Sequence, residues 1–552
     1  MTRLGLRVGF LLALASSAPT ISARAQDVAK PQQPAAAQNQ TKTVTCTVDV
    51  SPKTLSLPIA DALNLYRTGK FEAAVAAYKA IVSSGGPDVA LAYTGLARVY
   101  LRQYKVNDAF DAASKAVALT PGKTPAITAM GEVYFRQGKM VLAEHAFLDP
   151  LQACDVDPRS YLGLARLYRA TSNYKRAAIA VAQAYKIDPA DPDVQRSYMA
   201  TLSRSERLKF LRDYLSRETD DDPEHRTNLE HQLAVLEDET GQPGRTCRLT
   251  SKVTATQTNL EQLFNGPNRL RGYGLKVKVN GASAKLKLDT GAGGILIDQK
   301  VAAKAGVKKI VEQKASGIGD KGGTAGYVGF ADSIQIGELQ FENCYVDVIE
   351  RNSILDDDGL IGADIFSSYL VDIDFPGTKF KLTQLPPYPD EAPVEATLES
   401  QPTAAHLHDR YIAPEMKNYT FIYRIGHALL IPTRVNDSAP MLFLIDSGAF
   451  DNSITPEAAK QVTKISRDDN YKVKGLSGEV KDVYRAREAN LQFAHLKQNR
   501  NDLFTFSMDN MSNGFGTEIS GTLGFRMLLL LDVKIDYRDG LVDFTCPQCP
   551  KP

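Results

Sequence analysis

Tyr66, Tyr100, Tyr134 and Tyr168 stand 34 residues apart, and that fixed period narrows the first half of the protein to one kind of architecture. A unit of this length is a helical hairpin that cannot bury its own apolar face and so stacks on its neighbours. Three residues before the tyrosines stand Leu63, Ala97, Gly131 and Ala165. Nine residues after the last three come Ala109, Ala143 and Ala177, with Ala74 one residue early in the first unit. Small side chains let two helices approach, and the tyrosine fills the gap to the next helix. Pro87, Pro121 and Pro189 each close a unit, because proline lacks the N–H and clashes with the preceding turn. Pro158 is expected to close the remaining one slightly late. The expectation is an all-α solenoid over 58–240, with capping helices after about residue 190.

The pattern, carried best by GLARVYLRQYKVNDAFDAASKAVALTP and MGEVYFRQGKMVLAEHAF, resembles the tetratricopeptide repeat family. That resemblance implies a concave face holding a protein partner, and it implies no chemistry.

From about residue 270 helical periodicity gives way to short alternating runs. GLKVKVNG ends at Gly281, and AKLKLDTGA follows from Ala284. HALLIPTRVND begins at His427, and MLFLIDSGA follows from Met441. Apolar/polar alternation around Asn280-Gly281 predicts a hairpin. Both second strands run into Asp-Thr/Ser-Gly, nine residues after the turn Asn280 and ten after Asn436. A Gly-rich loop follows in each copy, GIGDKGG from Gly317 and GLSG from Gly475. Next come Leu360-Ile361-Gly362 and Thr522-Leu523-Gly524, 73 and 78 residues after their Asp. The closing hairpins are VDIDFPGTKFKL and VKIDYRDGLVDF. Five matched features in one order are an internal duplication.

An Asp-Thr/Ser-Gly at the end of a buried strand, paired with a second copy, resembles the retropepsin-like and pepsin-like aspartic proteases. The resemblance implies two all-β lobes, 270–385 and 425–545, forming a pepsin-like pseudo-dimer across a linker at 386–424. It carries Asp289 and Asp446 over as the catalytic dyad, with Thr290, Gly291, Ser447 and Gly448 supporting it. Gly317, Ile318 and Gly319, with Gly475, Leu476 and Ser477, match the substrate-binding flaps. Two carboxylates within hydrogen-bond reach share one proton. That chemistry hydrolyses the peptide bonds of a polypeptide substrate with an activated water, and it needs no cofactor and no metal. The family commonly has serine where Gly293 and Phe450 stand. The copies differ, Lys-rich at 285–287 and apolar at 441–445, which favours Asp289 meeting Asp446 within one molecule over like pairing with like. The competing reading is a catalytically inert scaffold of the cell envelope that works through its solenoid.

Arg3 and Arg7 precede a short apolar core over 8–18, and Ala23-Arg24-Ala25 fits a small-x-small cleavage site. Residues 1–25 therefore read as a signal peptide, which points to a periplasmic or secreted protein. That core is too short for about 30 Å of hydrocarbon, and no later run reaches about 18 apolar residues, so no membrane span is expected in the mature protein. Residues 26–57 read as a flexible leader. Sixty-five Lys and Arg against 64 Asp and Glu leave a net charge of +1, without the basic excess of a nucleic-acid-binding domain. Export permits disulfides. Six cysteines allow 15 full pairings, and the Cys546-Pro-Gln-Cys549 tail at 546–552 reads as a local disulfide or staple.

Overall fold

The computed structural model describes residues 21–23, 55–153, 156–216, 223–241, 245–320, 323–349, 357–389 and 407–549. Most of the expected signal peptide and leader, the middle of the linker, Cys46 and Cys154 lie outside them.

Between Leu57 and Gly241 the described residues form eleven α-helices. The first eight pair as Leu57–Arg67 with Phe71–Ser84, Val89–Arg102 with Val106–Leu119, Thr124–Arg136 with Met140–Ala153, and Pro158–Ala170 with Tyr174–Ile187. Small residues sit where helices cross: Ala97, Ala109 and Ala143 are completely buried. A methyl group on Gly95 would collide with the Tyr78 ring, and one on Gly131 or Gly163 with Phe147. Pro158 departs from its expected role. It opens Pro158–Ala170 at the first helical turn, where a missing N–H costs nothing, and Asp157 caps that turn by accepting from the Arg159 and Ser160 amides. Inside the curve, the Tyr66 hydroxyl donates to Asp193 at 2.7 Å across 127 residues.

Each lobe of the β-rich half is built on a closed sheet of the same topology. In the first lobe the hairpin Leu270–Val279 and Ala282–Asp289 turns at Asn280 and Gly281, both with positive φ, at 47° and 82°. In the second, Ala428–Val435 and Met441–Asp446 turn at Asn436, φ 53°. Each turn asparagine accepts one backbone N–H and donates to one backbone carbonyl: Ser333 and Ala305 for Asn280, Asn490 and Val462 for Asn436. Each Asp-bearing strand pairs in parallel with its apolar-Gly strand, Asp289 opposite Gly362 and Asp446 opposite Gly524. Ile21–Ala23, inside the expected signal segment, adds an edge strand against Leu496–Gln498.

The closing hairpins join the lobes. Tyr369–Asp374 pairs antiparallel with Asp532–Asp536, the centre of a six-stranded sheet shared between the two halves. The solenoid is docked on both. Met140 and Leu167 share an apolar core with Leu430, Leu442, Leu444 and Ile519 of the second lobe. Thr517 donates to the Phe135 carbonyl at 2.7 Å, and Arg136 donates to Ser512 and Asn513. At the other end the Tyr345 hydroxyl of the first lobe donates to Asp238 at 2.7 Å. Cys247 and Cys344 form a disulfide on that lobe, and Cys546 and Cys549 form the local one.

The shared sheet stores a pH dependence. Asp532 faces Asp374 in register and lies beside Asp372, with Lys381 3.3 Å from Asp374 and 3.6 Å from Asp372. Burial, then the Asp372 charge, pushes the Asp532 carboxyl up to about 6. A raised carboxyl keeps a proton that the unfolded protein releases. Its stabilising contribution is complete below about pH 4 and is lost as pH rises through about 6. Asp532→Asn is therefore expected to raise Tm at pH 8 by about 2–4 °C, the shift that roughly 1 kcal/mol produces. At pH 4 it should leave Tm close to wild type, with both values read by thermal unfolding.

Candidate active site

The two Asp loops meet across the joint between the lobes. The Thr290 amide donates to the Ser447 hydroxyl at 3.0 Å, and the Ser447 amide to the Thr290 hydroxyl at 2.9 Å. Each hydroxyl then donates to a carbonyl one strand across, Thr290 to Ile445 at 2.8 Å and Ser447 to Leu288 at 3.0 Å. Both residues are buried, so these four bonds form away from competing water.

The clasp presses the carboxylates of one lobe against the turn glycine of the other. A Cβ on Gly291 would stand 2.8 Å from the Asp446 carboxyl carbon, and one on Gly448 would overlap the Asp289 carboxylate. Glycine is thus required by the opposite lobe as well as by its own turn. Within each loop the glycine amide donates to its own aspartate, Gly291 to Asp289 and Gly448 to Asp446, both at 2.9 Å. The Ala449 amide adds a second bond to Asp446 at 2.8 Å.

Burial, then the neighbouring Asp289 charge, pushes the Asp446 carboxyl up to about 7. The backbone amides and the Lys287 ammonium oppose this shift. Lys287 is buried two residues before Asp289 and donates across the joint to the Gly448 carbonyl at 2.6 Å. A lysine whose partner lies 161 positions away gives no motif, and the alternating KLKLD run reads only as a Lys-rich strand.

Asp364 and His427 were equally invisible in the sequence. The Gly294 amide donates to Asp364 at 3.0 Å. The His427 Nδ1 lies 2.6 Å from where a Cβ on Gly293 would stand, so the departure from serine at that position leaves room for the imidazole. Burial pushes His427 down, against the opposing pull of the Asp364 and Asp289 charges. Behind them the completely buried Tyr537 hydroxyl has no hydrogen-bond partner among the described residues.

The two Gly-rich loops touch each other. The Gly317 amide donates to the Ser477 hydroxyl at 3.1 Å, and the Ser477 amide to the Ile318 carbonyl at 3.0 Å. Thr324 donates to the Leu476 carbonyl at 2.6 Å. Gly319 and Gly475 pack so closely on the opposite loop that a side chain on either would collide with its backbone. Leu476 reaches the apolar cluster of Leu296, Ile349 and Leu360, beside Ala292 of the first Asp loop. Residues 321–322 of the first loop lie outside the described residues. Among the described residues, no group of three or more His, Cys, Asp or Glu side chains is placed to hold a metal ion. No described helix is long and apolar enough to cross a membrane.

Comparison with known proteins finds one family match in each half of the chain. Residues 275–365 match the aspartyl protease family, and residues 59–124 and 128–192 match the tetratricopeptide repeat. The DNA damage-inducible protein 1 of Chaetomium globosum is 32% identical over 136 residues, covering 23% of this chain and 30% of that protein. Its counterpart from Neurospora crassa is 29% identical over 129 residues, covering 23% and 28%. The match thus spans under a third of the length of these relatives. Among solved structures, an aspartic proteinase from Irpex lacteus aligns with 53% of this chain and 98% of its own, at 12% identity and a TM-score of 0.32. A thermophilic TPR protein from Thermus thermophilus aligns with 34% and 98%, at 19% identity and a TM-score of 0.26. The molecule thus carries a segment similar to the tetratricopeptide repeat followed by one similar to the aspartyl protease family.

Proposed function

We propose that the protein is an exported aspartic endopeptidase that cleaves extended polypeptide with the Asp289/Asp446 dyad. The observation that carries this reading is the reciprocal Thr290/Ser447 clasp, which sets one carboxylate from each lobe face to face. Asp446, raised to about 7, is the member that keeps the shared proton. It donates that proton to the scissile carbonyl oxygen while Asp289 takes one from the attacking water, giving a gem-diol. In collapse a proton passes to the amide nitrogen, the C–N bond breaks, and one proton returns to the pair. The contacting 317–319 and 475–477 loops, with Leu476 packed beside Ala292 of the first Asp loop, support a flap role over an extended peptide.

Export is supported by the Arg3/Arg7 basic start, the short apolar core and the Ala-Arg-Ala site. The two disulfides fit an oxidising compartment. Cleavage after Ala25 removes the Ile21–Ala23 edge strand from the second lobe. The solenoid is proposed to recruit the protein substrate or an envelope partner.

Asp289→Asn and Asp446→Asn are each expected to abolish cleavage of an unstructured protein substrate, and a pepstatin-type inhibitor to block the wild type. A mixture of the two single mutants should stay inactive, since every molecule then holds half a dyad. Cleavage by the double mutant at the wild-type rate would sink the assignment.

Activity should fall as pH rises through about 7, where the pair loses its shared proton. Lys287 favours the ionised form of Asp446, so Lys287→Met is expected to move this alkaline limb to higher pH. Lys287→Arg should hold the limb near the wild-type position, and the kcat/KM profile reads the difference.

A further inference from the structure

Between the solenoid and the second lobe lies a cavity of about 400 Å3, a volume ordinary for a ligand site. Its walls come from the inner face of the repeats and from two lobe segments, 424–426 and 513–516. Seven arginines line it against two carboxylates, Glu132 and Asp193. The two carboxylates are already committed. Arg159 bonds both at 2.9 Å, Arg98 reaches Glu132 at 3.3 Å, and Arg196 pairs with Asp193. Arg102 and Arg166 stand only at 3.7 and 4.0 Å from that same Asp193.

The remaining arginines bond no carboxylate among the described residues. Arg136 donates to the Ser512 carbonyl and the Asn513 side chain. Arg424 donates to the Gly426 carbonyl at 3.1 Å and the Tyr174 hydroxyl at 3.3 Å. Arg169 is accessible to the cavity and has no side-chain partner among the described residues. Its side chain is exposed to the cavity, and the surrounding protein, then the Arg166 charge, lowers its pKa. Arginines with no carboxylate partner, gathered in a half-open cavity, are stabilised by an anion that brings its own charge.

The cavity adjoins the dyad. Gly426 lines it, and the next residue is His427, which abuts Gly293 of the first Asp loop. Phe515, also in the wall, has its ring 5.2 Å from the His427 imidazole. Apolar side chains, Leu101, Phe135 and Ile425 among them, complete the lining. We infer that this cavity is a carboxylate-binding subsite, which takes an acidic segment of the polypeptide whose scissile bond lies over Asp289 and Asp446. The inference rests on the protease reading for what fills the cleft, and the cavity's charge stands independently of it. The carboxylates can come from Asp or Glu side chains or from the carboxyl terminus of a polypeptide, since a guanidinium fork fits either.

The test uses the full-length Asp289→Asn/Asp446→Asn protein, so that binding is read without cleavage. The probes are fluorescent unstructured peptides carrying a cluster of three Glu, the same peptides with Gln, and each as C-terminal acid and amide. Anisotropy is expected to show at least about tenfold tighter binding of the Glu peptide, lost at high salt. Arg166→Gln and Arg169→Gln, introduced together, should erase that preference without lowering Tm, and Arg169→Lys alone should retain part of it. A preference that follows the C-terminal acid in place of the Glu cluster assigns the carboxylate to the peptide's end and supports the subsite. Equal affinity for Glu and Gln peptides, or a preference untouched by the arginine substitutions, overturns it. Displacement of the Glu peptide by a short oligonucleotide of equal charge as readily as by excess Glu peptide also overturns it, by assigning the arginines to nucleic acid. Selective Glu-peptide binding together with no cleavage by the wild-type protein keeps the subsite and removes the protease reading.

Discussion

Four buried hydrogen bonds between Thr290 and Ser447 and the opposing backbone hold the two Asp loops in register. Each hydroxyl accepts from one amide and commits its single O–H donor to one carbonyl. Removing one hydroxyl strands a buried amide and a buried carbonyl, at about 1–3 kcal/mol for each unsatisfied group. The cost concentrates where the carboxylates face each other, because Gly291 and Gly448 have no atoms to spare against Asp446 and Asp289. A shift of one loop therefore displaces the acid of the other lobe. The shared sheet around Tyr369–Asp374 and Asp532–Asp536 supplies the area that keeps the lobes together, and the clasp sets the alignment within it.

The solenoid cannot be treated as a tethered accessory. Leu430, Leu442 and Leu444 of the second lobe are buried partly by Met140 and Leu167 of the repeats. Removing 58–240 would expose that apolar face, so a truncated protein reports lost packing as well as lost recognition. The Asp-bearing strand Met441–Asp446 directs Leu442 and Leu444 toward the helices and ends in the dyad, which ties the repeats mechanically to the site.

Sequence reading succeeded where the information is local or periodic. The 34-residue tyrosine spacing is written by neighbouring turns of helix, and Asn280-Gly281 carries its turn in its own backbone preference. The duplicated Asp-Thr/Ser-Gly runs placed Asp289 and Asp446 as a candidate pair, and the structure brings them together. Pro158 misled because a proline before a helix and one after it look alike until the Asp157 cap is seen. Lys287, His427 and Asp364 stayed hidden for another reason. Each acquires its meaning from a residue of another segment, Gly448, Gly293 or Gly294, and no spacing along the sequence encodes that approach. The docking of the repeats is likewise a match between two surfaces, each of which reads alone as an ordinary amphipathic element.

The interlocked Gly-rich loops have a consequence for timing. Ser477 bonds both Gly317 and Ile318, and Thr324 bonds Leu476, so neither loop lifts without its counterpart. Separating the two loops is therefore one concerted event that breaks these bonds together, and the exposure of whatever they cover is tied to that single event.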